Sequence, residues 1–131
     1  MIALDTNVLV RYLVDDDKAQ SATAASAIDR AAAKGEELFV SDVVLCETAW
    51  VLAGSYKVTR AAIAAILHDL LHAKQLAFAS PDELTRALDA FARGKGDFAD
   101  YVIREHARTA GSTTVLTFDR ALAADKGFAS P

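Results

Sequence analysis

The stretch "MIALDTNVLVRYL", residues 1–13, sets the plan of the chain. Met1 to Leu4 form a short apolar run without polar alternation, which predicts a strand covered on both faces. The run stops at an acid, Asp5. From Thr6 to Leu13 the apolar positions take up helical spacing.

The same alternation of short apolar runs and helices continues along the chain. "ELFVS" (37–41), "LAFA" (76–79) and "TTVLTF" (113–118) are further strand candidates, and "GFAS" (127–130) leaves room for a short last one. Helices are expected between them: an alanine-rich one over 15–34 ended by Gly35, one over 42–53 closed by Gly54, and an amphipathic one after the N-cap Thr59. A fifth opens at Ser80–Pro81 with Glu83 closing a capping box, and a sixth covers 97–111. Strands alternating with helices define an α/β fold, a three-layer α/β/α sandwich around a mostly parallel sheet of four to five strands. With 131 residues, no linker and no repeat, one domain over 1–131 is expected.

Composition narrows the function. The formal charge is −4, which argues against bulk electrostatic binding of nucleic acid but leaves room for a basic rim around an acidic centre. Candidates for that rim are Arg11, Lys57, Arg60, Arg93, Lys95, Arg104, Arg108 and Arg120. The single cysteine, Cys46, excludes a disulfide framework and reads as a small buried hydrophobe. No apolar stretch approaches the ~18 residues of a membrane span, so a cytoplasmic protein is expected.

The acids carry the chemistry. Asp5 and Asp119 each follow an apolar run, where open α/β sheets build their sites, although each also suits an ordinary N-cap. Glu47 lies in "SDVVLCETAWVLAG" (41–54), with Val43, Val44, Trp50 and Val51 on its own face of the helical wheel. A carboxylate buried there needs a basic partner or a cation shared with other acids. Asp97 and Asp100 open a helix as "DFAD", fit a capping box, and place Asp100 four residues before Arg104 as an ion pair. If the four segments converge, a divalent cation relieves the repulsion, and oxygen-only ligands select Mg²⁺ or Mn²⁺.

Four motifs in order, "LDTNVL", "SDVVLCETAWVL", "DFADYVIREHARTAG" and "VLTFDRAL", resemble the PIN domain, and more narrowly the VapC-type ribonuclease toxins of toxin–antitoxin pairs. The resemblance covers essentially the whole chain. It implies an Mg²⁺- or Mn²⁺-dependent endoribonuclease that hydrolyses RNA phosphodiester bonds by metal-activated water. It makes Asp5, Glu47, Asp100 and Asp119 the catalytic acids and metal ligands, with Asp97, Thr6, Asn7 and Thr117 in support. It also implies homodimers and a VapB-type antitoxin partner. A receiver-like signalling module shares the α/β plan and an acidic Mg²⁺ pocket, but here the third strand is followed by Ser80 and Pro81 rather than a phosphoacceptor acid. A catalytically silent PIN-like binding domain is the other alternative.

Two further signals are set aside. "HDLLH" places His68 and His72 at i and i+4, but on a face opposite Ile63, Leu67 and Leu70, with no third ligand. "GKG" at 94–96 lacks the surroundings of a phosphate loop and reads as a helix end and connector.

Overall fold

Each apolar run contributes a strand only two residues long, and after each of the first four strands a helix begins within a few residues. The structure, a computed structural model, describes residues 1–131. It divides into two compact units, Met1–Ala79 and Ser80–Pro131.

In the first unit the order is β1 (Ile2–Ala3), α1 (Thr6–Leu13), α2 (Lys18–Ala33), β2 (Leu38–Phe39), α3 (Asp42–Gly54), α4 (Arg60–Leu71) and β3 (Leu76–Ala77). The strands form a parallel sheet in the order β1-β2-β3, with Ile2 opposite Leu38 and Leu38 opposite Leu76. Parallel neighbours need a crossover, and the helices supply it. The core is aliphatic: Leu9, Val10, Ile28, Leu38, Val40, Leu45, Leu52, Ile63 and Leu67 are all buried. Burying a Leu or Ile side chain contributes about 1.5–3 kcal/mol relative to exposure.

The second unit runs α5 (Pro81–Arg93), α6 (Phe98–Thr109), β4 (Val115–Leu116), α7 (Arg120–Ala123) and β5 (Phe128–Ala129). β4 and β5 pair in parallel, Val115 opposite Phe128, across the single turn of α7. Helices α5 and α6 pack on each other, with the Phe91 and Phe98 rings edge to face at 6.1 Å. The chain is thus α/β with every strand pairing parallel, the five strands hydrogen-bonding as a set of three and a set of two.

Several local expectations need correction. Helix α3 takes in Gly54, and Ser55 caps it by donating its N–H to the Val51 carbonyl (2.9 Å). The capping box at the start of α5 does not form: the Ser80 side chain makes no cap bond. Glu83 instead accepts from the Thr109 hydroxyl (2.8 Å) and lies 3.3 Å from His106 Nε2, so it ties α5 to α6. Arg104 leaves Asp100 and donates to Glu105 Oε2 (3.2 Å) and to the Lys126 carbonyl (3.0 Å), its guanidinium lying over the Tyr101 and Phe128 rings. The connector "GKG" is glycine for packing. A Cβ at Gly94 would overlap the Tyr101 hydroxyl, and one at Gly96 would stand 2.7 Å from Leu122 Cδ1. The Gly96 N–H donates to Tyr101 Oη (3.2 Å), and that hydroxyl in turn donates to Asp125 (2.6 Å).

Candidate functional site

The first unit presents Asp5 and Glu47 on neighbouring helices, bridged by one residue. Asp5 stands directly after β1 and caps α1: its Oδ1 accepts the Thr6 N–H at 2.8 Å. Thr6 is buried as the first residue of α1, and its hydroxyl donates to Glu47 Oε1 on α3 at 3.1 Å. Asn7 follows, exposed on the same first turn.

Glu47 itself is exposed, which overturns the premise that it sits among buried apolar neighbours. Val43 and Trp50 are each 67% exposed, and α3 is anchored through Leu45, Thr48, Ala49 and Leu52. Helix α3 is apolar nearly all round, so the wheel shows who shares a side with Glu47 but not which side faces the core. Burial, helped by the Asp42 charge, pushes the Cys46 thiol up to about 11, which disfavours the thiolate a nucleophile needs.

In the second unit the charges of Asp97 and Asp119 act on Asp100. Asp119 follows β4 and caps α7, its Oδ1 accepting from Ala121 (3.0 Å) and Leu122 (3.1 Å). The Thr117 hydroxyl accepts the Asp119 N–H (3.1 Å) and so fixes the turn that carries the acid. Asp100 Oδ2 accepts the Asp97 N–H at 2.8 Å. Partial burial raises the Asp100 carboxyl above its ordinary value. The Asp97 and Asp119 charges add to the rise, against the Asp97 N–H, which favours the ionised form.

A common pattern links the four acids. Asp5 and Asp119 use Oδ1 in a cap, Asp100 uses Oδ2 at a helix start, and Glu47 uses Oε1 on a hydroxyl. Each bond orients the carboxylate and leaves its second oxygen outside that bond. In neither unit do three or more His, Cys, Asp or Glu side chains stand close enough to hold an ion between them. The donors on offer are all carboxylate or hydroxyl oxygens, and at Asp100 they concentrate negative charge. That chemistry fits a hard divalent cation rather than zinc.

The basic rim shrinks. Arg104 is 8% exposed and held inside the second unit. Arg11 is committed to Gln20 Oε1 (2.7 Å), Asp16 Oδ1 (2.8 Å) and Tyr56 Oη (3.2 Å). Arg108 pairs with Glu105 Oε2 at 2.9 Å. His68 and His72 are exposed with rings stacked at 4.2 Å, on the solvent face of α4 as expected.

What sequence inspection missed is long-range. The Thr6–Glu47 bond spans 41 positions, and no local pattern announces it. Glu105, 1% exposed and shared by Arg86, Arg104 and Arg108, was not singled out from the sequence. Its only local signal was Arg108 at i+3 on its own helix; Arg86 comes from α5.

The PIN domain family model matches residues 2–126, a span that takes in both units. The chain belongs to the PIN domain family, whose fold is generally that of nucleases. Membership sets aside the receiver-like alternative. No curated protein matches the chain. No helix is long and apolar enough to cross a membrane.

Proposed function

We propose that this protein is a metal-dependent endoribonuclease, the VapC-like toxin of a type II toxin–antitoxin pair. It acts in the cytoplasm as a homodimer restrained by a VapB-type antitoxin. The observation that carries the proposal is the shared pattern of the four acids: each stands in a family motif, oriented through one oxygen, with its second oxygen left over.

Asp5, Glu47, Asp100 and Asp119 would hold Mg²⁺ or Mn²⁺. When bound, that ion neutralises charge on the RNA phosphate and lowers the pKa of the attacking water. The chain's own residues do the orienting. Asp97 steadies Asp100 through its N–H, Thr117 steadies Asp119 through the turn, and Thr6 touches both Asp5 and Glu47. Purified protein is expected to cut single-stranded or structured RNA only with Mg²⁺ or Mn²⁺, and Asp5→Asn to abolish cutting. The toxin role predicts growth arrest on expression, relieved by the product of a small adjacent gene. Growth unaffected by an active enzyme would remove the toxin assignment and leave the nuclease one standing.

A further inference from the structure

We infer that Thr6 is a positioning residue, which locks the Asp5 and Glu47 carboxylates into one preformed pair of oxygen donors. The inference rests on the proposed nuclease function and assigns Thr6 a definite task within it.

Thr6 makes two bonds in two directions. Its amide donates to Asp5 Oδ1 at 2.8 Å, and its hydroxyl donates to Glu47 Oε1 at 3.1 Å. One buried residue therefore holds an acid from the end of β1 and an acid from the middle of α3. The hydroxyl is free to do this because of its place in the helix. A threonine inside a helix commonly turns its hydroxyl back to the carbonyl four residues earlier. Thr23, Thr48 and Thr85 do so, to Ala19 (2.9 Å), Val44 (2.7 Å) and Pro81 (2.8 Å). Thr6 opens α1, and the residue four before it, Ile2, belongs to strand β1. Its hydroxyl has no helical carbonyl behind it and reaches across to α3.

The consequence falls on Glu47. An exposed glutamate otherwise samples many rotamers, and ordering it on binding an ion costs entropy. With Oε1 already held by Thr6, part of that cost is met during folding, and Oε2 is left outside the bond. Groups that orient ligands in this way typically account for about ten-fold or more in metal affinity.

The test is direct Mn²⁺ binding to the RNA-free protein, followed by electron paramagnetic resonance of the free ion. Thr6→Val keeps the shape and removes the donor, and it should weaken Mn²⁺ binding about ten-fold. Thr6→Ser should bind close to wild type. In a Glu47→Ala background, Thr6→Val should add nothing further. If Thr6→Val fails to fold, Thr6→Ala carries the same expectation. Wild-type affinity in a folded Thr6→Val or Thr6→Ala protein, or a Thr6→Ser protein as weak as Thr6→Val, overturns the positioning role alone. A wild type that neither binds Mn²⁺ nor cuts RNA overturns the nuclease function, and this inference with it.

Discussion

Glu105 is the most heavily constrained acid in the molecule, 1% exposed and bonded to Arg86 (2.8 Å), Arg104 (3.2 Å) and Arg108 (2.9 Å). Burial alone would raise its carboxyl, but the three guanidiniums outweigh burial and hold it below its ordinary value. A depressed acid stabilises the fold fully above its unfolded value of about 4.5 and loses that contribution as pH falls through the lower folded value. Glu105→Gln should therefore lower stability at pH 7 by about 2–3 kcal/mol, since Arg86 and Arg108 are partly solvated and only Arg104 is left buried. The deficit should shrink as pH falls through the lowered folded value, where wild type loses the charge too; urea melts at pH 7 and in strong acid check it.

Asp100 works in the opposite sense. Its carboxyl is raised, so ionising it costs stability as pH climbs through its unfolded and then its folded value, and the cost persists at neutrality. Asp100→Asn should raise the melting temperature of the metal-free protein at pH 7 and have little effect in strong acid. The asparagine keeps an oxygen for the Asp97 N–H. Stability gained by deleting an acid is expected where the fold sacrifices stability to concentrate charge. In the sequence Asp5, Asp100 and Asp119 each read as a helix cap as well as a ligand, and Glu47 as a partner of a basic residue or of a cation. The cap and ligand roles are compatible, because a carboxylate has two oxygens and a cap occupies one.

Among the elements, helix starts were the most legible features, and they differ in what their signals do. Thr59 caps α4, its hydroxyl accepting the Ala62 N–H at 3.2 Å, as the sequence predicts. Ser80 carries the same signature before Pro81 and Glu83, yet its hydroxyl makes no cap bond. Thr59→Ala should cost about 1 kcal/mol. Ser80→Ala should cost a few tenths at most, as for a substitution that removes no bond. Equal losses in thermal melts would contradict this difference. The signature misled at Ser80 because Glu83 is drawn away to Thr109 and His106, a tertiary demand invisible in four residues. Helix α3 was misread for a related reason. Its start at Asp42 was legible, but with apolar residues all round, only the packing decides that Leu45 and Leu52 go in while Trp50 stays out.

At the scale of the whole molecule, the alternation of strands and helices was enough to give the α/β class and the parallel pairing. Strand lengths were not legible, since apolar runs of four to six residues yield only two paired positions each. The order of four acidic motifs gave the family, and the match over residues 2–126 bears it out. The geometry of the acids was hidden, because Thr6 and Glu47 meet only after folding.

If the four acids act together in cutting RNA, as proposed, cleavage requires both the ion and Asp100. Purified wild type and Asp100→Asn are incubated with single-stranded RNA, each with Mg²⁺ and with chelator. Cleavage is expected from wild type with Mg²⁺ alone, and none from folded Asp100→Asn under any condition. Undiminished cleavage by Asp100→Asn, or cleavage by wild type in chelator, would contradict it.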